Sequence, residues 1–242
     1  IYSGVTLMFL KDRGCILRQT ALPGRGKIIQ LWLEREGPVS AVVFPGKKAA
    51  VHPALLRPLQ MFDFELKAPG RGSHYTIREI KPLREIQDIK FINESHLMIF
   101  HLMQELIWRI LKDAPADGAL FELLDSHIQC LYEGNDFSLQ VHISFLSCCI
   151  VHSGIQPFKN ASEKPLFLNV QQGCFQDSAC GTPFVSEEDT YWFERALHED
   201  LLKFLLPSER RKALFNQLHD YYAWHIPAFG SLHSVELLRS MF

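Results

Sequence analysis

The sequence lacks the motifs by which enzymes and metalloproteins are usually recognised. No Gly-x-Ser-x-Gly elbow is present, and no Cys or Ser is linked by spacing to a histidine base. Residues 24–27 have the glycines and lysine of a phosphate-binding loop, but Ile28 replaces the required Ser or Thr and a strand pattern follows. His101 and Glu105 share a helical face without a complementary zinc-binding spacing elsewhere. We therefore predict no catalytic residues, no cofactor and no metal ion.

Paired cysteine motifs and a secretion signal are also missing. The six cysteines have no framework spacing, and Cys148 and Cys149 are adjacent within an apolar helical stretch. Cys174 and Cys180 are five residues apart with no second pair to complete a tetrahedral zinc site. The apolar opening residues 1–10 have no preceding basic region and no small-residue cleavage site. These features predict reduced, mostly buried thiols in a cytoplasmic protein.

No apolar run is long enough to indicate a membrane span. The most apolar stretch, residues 95–112, is interrupted at helical spacing by His101, Glu105 and Arg109, and Pro115 follows it. A helix that is apolar on nearly all sides must be covered by neighbouring elements. This stretch is therefore predicted to be a central helix of a helical bundle.

Charge is distributed unevenly along the chain. The chain has 242 residues, 47% hydrophobic and 21% charged, and its net charge is −2. Residues 1–81 contain 13 Lys and Arg against 6 Asp and Glu, a net of +7, whereas residues 82–242 contain 12 against 21, a net of −9. The length and this asymmetry predict two domains, 1–81 and 82–242, of which the first has a surface for polyanions. Patterning for solubility is the alternative explanation.

The basic domain is predicted to be a small β-barrel. Short strand patterns separated by Gly and Pro occupy residues 15–19, 27–33, 39–44, 59–68 and 74–80. In the fourth, Phe62, Phe64 and Leu66 alternate with Asp63, Glu65 and Lys67. Five antiparallel strands in about 80 residues favour a closed barrel, because closure removes exposed sheet edges. A turn of helix is expected at residues 53–56.

Cations cluster beside the glycine-rich turns of this barrel. Glycine allows a ligand to approach the backbone closely, and neighbouring cations can bind phosphates. The predicted DNA-binding residues are Arg18, Arg25, Lys27, Lys47, Lys48, Arg57 and Arg71. Solvated cations at turn tips are the alternative explanation for any one turn. Phe44 and Tyr75 can stack on bases, although an aromatic side chain is more often part of a barrel core.

The remaining residues are predicted to be mainly helical. Helical patterns occupy residues 119–132, 137–153, 187–206, 209–225 and 235–242. Ser186 begins a capping-box pattern at the start of the third of these helices. Residues 156–185 form an irregular insert with a small hairpin around Gln171 and Gln172. The fold class is therefore α+β, with a barrel followed by a helical domain.

Several of these segments resemble the RecO family of bacterial recombinational repair proteins. Residues 14–17 are similar to the first strand of the family, residues 44–48 to its Gly-plus-basic segment, and residues 55–59 to its Leu-x-Pro-Leu run. The Leu-Phe motif of the family has a counterpart at residues 120–121. The segment from Tyr221 to Phe229, YYAWHIPAF, resembles the C-terminal tail of a zinc-free branch of the family. This likeness spans nearly the whole chain from Gly14 and places the natural start at Met8.

The resemblance implies an oligonucleotide-binding (OB) barrel and a helical domain. It implies binding of single- and double-stranded DNA, annealing of complementary strands, and help in loading a recombinase onto strands coated by single-strand binding protein. The implied partners are a RecR-type ring protein and the C-terminal tail of single-strand binding protein, and the implied location is the cytoplasm, with the nucleoid. Residues 167–175 resemble the hairpin that replaces the zinc segment of other members.

Two other functions remain open. The segment after Lys48 is short and poor in Lys and Arg compared with the family, which favours an interaction adaptor of the repair machinery with weak or no DNA binding. An unrecognised enzyme is the other alternative, and a cleft with ionisable residues of perturbed pKa would be its first structural sign.

Overall fold

The structure is a computed structural model that describes residues 9–22, 26–44, 51, 55–69, 72–84, 94–159, 167–179, 184–227, 229–230 and 232–235. The barrel strands are β1 (Phe9–Leu22), β2 (Gly26–Leu33), β3 (Gly37–Val43), β4 (Met61–Lys67) and β5 (Tyr75–Pro82). The helices are α1 (Glu94–Leu111), α2 (Gly118–Glu133), α3 (Val141–His152), α4 (Glu187–His198) and α5 (Ser208–His225). Four short strands form the insert: β6 (Phe158–Lys159), β7 (Phe167–Asn169), β8 (Cys174–Gln176) and β9 (Phe184–Val185).

The five N-terminal strands form a closed barrel in the order β1-β2-β3-β5-β4. Long β1 pairs along its second half with β2 and along its first half with β4, and all pairings but one are antiparallel. The exception closes the barrel, where Ala41 and Val42 of β3 lie beside Tyr75 and Thr76 of β5 in parallel. The predicted five-stranded OB-type barrel is therefore confirmed.

The barrel is filled by alternate side chains of its strands. In β4, Phe62, Phe64 and Leu66 are buried, while Asp63 between them is exposed. The aliphatic residues Ile29, Leu31 and Leu33 of β2 belong to the same core. The two-residue alternation that predicted the fourth strand thus also identifies its inward face.

The first strand is longer than the sequence indicated. Its predicted span was residues 15–19, whereas β1 begins at Phe9 and ends at Leu22. The added first half pairs residue by residue with β4, from Phe9 opposite Lys67 to Cys15 opposite Met61. Charged residues in this half obscured the strand pattern, because three of them, Lys11, Asp12 and Arg13, are consecutive.

Helix α1 confirms the apolar helix predicted at residues 95–112. Leu102, Met103, Leu106 and Ile107 are fully buried. Arg109 lies 3.7 Å from Glu105 in the predicted polar stripe. Burial on all sides is stronger in α3, where nine of twelve residues are buried.

The hairpin in the irregular insert is also confirmed. Strands β7 and β8 pair antiparallel, with Leu168 opposite Phe175, and the turn between them contains Gln171 and Gln172. Gly173 has a φ of +63°, and a Cβ there would lie 2.9 Å from the His225 ring. His225 in turn lies 2.7 Å from the Val170 carbonyl through Nε2. Glycine is therefore required for the hairpin to approach α5.

The helix predicted over residues 187–206 is wrong in its second half. Ser186 caps its start as predicted, accepting the Asp189 amide, but α4 ends at His198. A short 3-10 turn, Leu201–Lys203, follows. The buried side-chain amide of Gln140 donates to the Leu201 and Phe204 carbonyls and accepts from the Leu206 amide. These three hydrogen bonds hold the segment in a non-helical path, which local sequence does not reveal.

The chain divides into two compact units. One contains residues 1–88 and 104–128, and the other contains residues 89–103 and 129–242. The barrel strands therefore share a unit with the second half of α1 and most of α2. The predicted domain boundary after Lys81 stays a prediction. None of the helices in the described part of the chain is long and apolar enough to cross a bilayer.

Candidate nucleic-acid interface

One face of the barrel has no carboxylates. Arg18 of β1 lies opposite Gln30 of β2, which lies opposite Ser40 of β3. These side chains point outward, because Ile29 and Leu31 on either side of Gln30 belong to the barrel core. The next row on this face consists of Thr20, Ile28 and Val42, of which Val42 is buried. We name these six residues the carboxylate-free face.

The chain segments that build and border this face contain no acidic residue. The six carboxylates of residues 1–81 are at positions 12, 34, 36, 63, 65 and 79. Residues 13–33, 37–62 and 66–78 contain none, yet they include ten of the thirteen Lys and Arg. Arg13 is one of the ten and is paired with Glu34, so only those of the ten that have no carboxylate neighbour in the folded protein remain available to an external anion such as a phosphate.

The acidic residues gather on a different side, where they bind cations of the barrel itself. Lys11 lies 3.1 Å from Glu65, and Arg35 lies 3.1 Å from the fully buried carboxylate of Asp12. Two rows of outward charges cross β1, β4 and β5. The row Arg13, Asp63, Lys81 alternates in sign, whereas the row Lys11, Glu65, Glu79 ends in two neighbouring carboxylates. We call this the ion-paired side. Its charged residues are Lys11, Asp12, Arg13, Glu34, Arg35, Asp63, Glu65, Glu79 and Lys81.

Arg13 is the centre of the ion-paired side. Its guanidinium donates to both carboxylate oxygens of Glu34, at 2.8 and 2.6 Å, and to Glu122 of α2 at 2.8 Å. The hydrogen bond from Arg13 lowers the pKa of Glu34, and the bonds to Glu34 and Glu122 raise the pKa of Arg13. The guanidinium also lies 4.9 Å from the Phe121 ring centroid. Arg13 therefore joins the barrel to α2 and is not available to a ligand.

Arg18 is the predicted DNA-binding residue that lies on the carboxylate-free face. Its side chain is exposed and forms no ion pair with a described residue. The guanidinium carbon lies 5.7 Å from the centre of the Trp108 ring. A flat aromatic surface beneath the guanidinium restricts its motion while leaving its N–H donors accessible.

The other two described members of the predicted set lie elsewhere on the barrel. Lys27 is on the same face of β2 as the core residues Ile29 and Leu31, and its amine donates to Gln19 at 2.8 Å. Arg57 is exposed and precedes Leu59, whose amide donates to the Ile16 carbonyl at 2.9 Å. Arg57 and Arg18 are therefore on adjoining chain segments, whereas Lys27 lies on the opposite face of the sheet.

Four predicted residues, Arg25, Lys47, Lys48 and Arg71, lie outside the described residues. In chain order, Arg25 belongs to the connection between β1 and β2, the two lysines follow β3, and Arg71 belongs to the connection between β4 and β5. In OB barrels the β2–β3 surface and the β1–β2 and β4–β5 connections are the parts that bind oligonucleotides. The predicted set stays a prediction.

Two cations of β4 and β5 were missed, and one of them, Lys67, borders the face. Lys67 is adjacent to Thr76 in the sheet, and Thr76 is adjacent to Val42. Neither Lys67 nor the exposed Arg78 forms an ion pair with a described residue. Both lie in the acid-free segment 66–78, so the spacing of acidic residues along the sequence was the signal that could have identified them.

The helical unit contains a separate, mostly apolar cavity of about 460 Å³. Its walls include Ile99, Leu139 and Phe215, and the cations Arg211 and Lys212 belong to its lining. The remaining lining residues are Ser95, His142, Ser208, Glu209, Asn216 and Val235.

A buried histidine forms part of this cavity. The His142 ring lies 5.1 Å from the Phe215 ring, and its Nδ1 has no hydrogen-bond partner among the described residues. Burial, together with the nearby charge of Arg211, lowers the pKa of His142 to about 3. The histidine is therefore neutral at physiological pH and presents an unsatisfied ring nitrogen within the cavity lining.

The described residues do not contain a donor set for the zinc ion that many RecO members hold. They include no group of three or more His, Cys, Asp or Glu side chains placed to hold a metal ion. Cys174, in the β7–β8 hairpin, is buried and lies near Gln172, with 3.8 Å between Sγ and Oε1. Cys180 lies outside the described residues.

No protein-family model matches the chain. Curated proteins nevertheless match it from end to end. DNA repair protein RecO of Azobacteroides pseudotrichonymphae is 25% identical over 248 residues, covering 97% of this chain and all of that protein. The RecO proteins of Phocaeicola vulgatus and Flavobacterium psychrophilum are 24% and 22% identical, each with 97% of this chain and all of the relative covered. Together with the closed barrel and the helices that follow it in the sequence, these matches make the chain similar, along nearly its whole length, to the RecO family of DNA repair proteins.

Proposed function

We propose that this protein is a recombination mediator in DNA repair that acts by binding and not by catalysis. It binds single- and double-stranded DNA and anneals complementary strands. With a RecR-type ring partner it helps load a recombinase onto strands coated by single-strand binding protein. It works in the cytoplasm, on the nucleoid. The likeness to RecO proteins supports this role.

The observation that supports DNA binding most directly is the separation of charge on the barrel. The carboxylate-free face includes the exposed Arg18, and Lys67 borders it without an ion pair among the described residues. The connections that contain Arg25, Lys47, Lys48 and Arg71 add four cations and no acid. Such a surface attracts the phosphate backbone of DNA whatever its sequence, and salt weakens that attraction.

The apolar cavity supports the proposed contact with single-strand binding protein. The tail of that protein is acidic and ends in phenylalanine. An apolar space lined by Ile99, Leu139 and Phe215 suits an aromatic side chain, while Arg211 and Lys212 suit the carboxylates of the peptide. The cavity also contains one carboxylate, Glu209, which an acidic peptide would have to avoid.

Strand annealing, with and without single-strand binding protein, tests the mediator function. We expect complementary strands to anneal faster with the protein in both conditions. Binding of a labelled single strand should weaken steeply with salt, with a log-log slope near −3 if roughly four phosphates are contacted at about 0.7 per phosphate. Binding without any annealing would contradict the mediator function, while a flat salt dependence would contradict phosphate binding.

The peptide contact has its own test. An acidic peptide ending in Phe should change the fluorescence of the tryptophans Trp192 and Trp224, and the same peptide without its final Phe should not. The variant Lys212→Glu should weaken this binding. Lys203→Glu changes an exposed lysine outside the cavity and is the matched control. Equal peptide affinity of both variants would exclude this cavity.

An interaction adaptor with weak or no DNA binding is the second candidate function. The observation that favours it is that Lys11, Arg13, Arg35 and Lys81 are all neutralised by carboxylates of the same unit. The charge left for DNA is therefore smaller than the sequence count implies. Unchanged mobility of a labelled single strand at low salt, with peptide binding intact, would favour the adaptor.

A further inference from the structure

The proposed DNA-binding surface has almost no aromatic side chains. The carboxylate-free face consists of one Arg, one Gln, one Ser, one Thr, one Ile and one Val. The connecting segments 23–25, 45–54 and 68–74 contain no Phe, Tyr or Trp in their sequence, although they include four Lys and Arg. Single-strand binding barrels usually combine a cationic groove with aromatic platforms on which bases stack. Only the cationic half of that combination is present here.

Nearly all other aromatic side chains of the barrel are used for packing. Trp32 is fully buried and stacks on Phe121 with 6.2 Å between ring centroids. Phe62 and Phe64 belong to the core, and Tyr75 packs against it. The buried rings of Trp32, Phe62 and Phe64 cannot receive a base without unfolding part of the barrel, whereas Tyr75 is half-buried.

Three aromatic residues border the face. Trp108 has the Arg18 guanidinium over its ring. Phe9 is 43% exposed and lies opposite Lys67, at the far border of the face. Phe44 is 53% exposed and follows the last residue of β3. Phe44 is therefore the best-placed described residue for a single stacking contact, and no second ring continues such a stack along β2 and β3.

We propose that the barrel holds a DNA strand by its sugar-phosphate backbone and leaves the bases turned away from the protein, open to pairing. This inference rests on the proposed function and specifies how the strand is bound. A strand held through its phosphates keeps its base edges and base faces in solvent. A complementary strand can then pair with it before it is released. The same contacts accept a duplex, whose phosphates are also on the outside.

Oligonucleotides with altered bases or an altered backbone test the proposal. The full-length protein is titrated, at about 0.1 M salt, with a labelled thymidine strand of about twenty nucleotides, an abasic strand of the same charge, and a strand with a neutral methylphosphonate backbone. We expect the abasic strand to bind within about twofold of the thymidine strand, and the neutral strand to bind at least about tenfold more weakly. Tenfold weaker binding of the abasic strand would overturn the proposal. Failure of all three strands to bind would instead contradict the proposed DNA binding itself.

The variant Phe44→Ala provides an independent measurement. Stacking of one base on an aromatic residue is worth about 1–3 kcal/mol, which is about 5- to 150-fold in affinity. We expect Phe44→Ala to change affinity for the thymidine strand by less than about twofold. A loss within the stacking range would show that a base rests on Phe44 and would overturn the proposal. Phe9→Ala, at the opposite border, is the matched control for removing an exposed ring.

Chemical reactivity of the bound bases completes the test and does not depend on any variant. Permanganate oxidises thymines whose faces are open to solvent. At saturating protein, thymines of the bound strand should react at nearly the rate of the free strand. Strong protection would mean that the bases are covered, contrary to the proposal.

Discussion

The two sides of the barrel use the same residue types for different purposes. On the ion-paired side, Arg13 donates to Glu34 and Glu122, and Arg35 neutralises the buried Asp12. On the carboxylate-free face, Arg18 has no ion pair with a described residue and is exposed to solvent. Charge that is satisfied within the protein stabilises the fold, whereas charge that is left unsatisfied is available to a ligand. A total of lysines and arginines does not distinguish the two.

Close packing also joins the barrel to the helical residues of its own unit. Trp32 donates from its indole N–H to the Ala114 carbonyl at 3.1 Å. Gly37 has a φ of +72°, and a Cβ there would lie only 2.9 Å from the Ala116 nitrogen. Arg84, two residues after the end of β5, donates to Asp125 of α2 at 2.8 Å. Ion pairs and apolar packing therefore both join the barrel to α2 and the residues before it.

The largest expected effect concerns that packing. Trp32→Ala removes a fully buried indole that stacks on Phe121, and we expect it to lower the free energy of unfolding by about 3–5 kcal/mol. Urea unfolding followed by circular dichroism measures the loss. Trp224→Ala removes a half-exposed indole and should cost less than about 0.5 kcal/mol. Similar losses for the two variants would show that Trp32 does not anchor the barrel.

The next effect concerns DNA binding. The double variant Lys47→Glu, Lys48→Glu should weaken single-strand affinity by about 20-fold or more near 0.1 M salt, because two phosphate contacts are replaced by repulsion. Lys11→Glu, Lys81→Glu changes the net charge equally on the ion-paired side, where both side chains are more than 70% exposed. This control should retain affinity within about twofold. Equal losses would mean that DNA responds to net charge alone, and the distinction between the two sides would fail.

Arg13→Met tests the structural role of a cation on the ion-paired side. We expect a loss of about 1 kcal/mol in the free energy of unfolding, because the ion pairs are partly exposed and screened by solvent. DNA affinity should be unchanged. Arg78→Met removes an exposed cation without a described ion pair and should leave the stability unchanged. The comparison fails if Arg78→Met destabilises the protein as much as Arg13→Met does.

The smallest effect concerns pH. Arg13 holds the pKa of Glu34 below its usual value of 4.5 in the folded protein, so the unfolded chain takes up the proton first as the pH falls. The stability that Glu34 contributes is therefore present above about pH 4.5 and is lost as the pH falls through the lowered pKa of the folded state. Glu34→Gln should differ most from the parent at pH 7, and the difference should shrink toward acid. Urea titrations at several pH values measure it.

Much of the fold could be predicted from local sequence. Gly and Pro punctuation located the barrel strands, and the alternation from Phe62 to Lys67 identified the inward face of β4. Apolar periodicity located α1, and Ser186 marked the start of α4. These features depend on residues that are close in the sequence, which is why a pattern reveals them.

The remaining features depend on residues far apart in the sequence. Gln140 ends the helical path near Leu201, 61 positions away, and Glu122 meets Arg13 across 109 positions. The candidate site was predicted as a list of cations, most of them beside glycines, which assigned neither Arg18 nor Lys27 to a face of the sheet. The absence of Asp and Glu from three segments did not identify the available cations by itself, because Arg13, in one of those segments, binds Glu34 and Glu122 from elsewhere in the sequence.

The sharing of residues 104–128 with the barrel has a practical consequence for anyone seeking the smallest DNA-binding fragment. A fragment cut after Lys81 would lose Phe121, Ala114 and Glu122 at once, and with them the covering of Trp32 and one carboxylate partner of Arg13. The exposed indole of Trp32 would favour self-association of the fragment. If such a fragment failed to bind DNA, the cause could be the altered barrel and not a lack of binding residues. Dissection of this protein should therefore start from point substitutions in the intact chain.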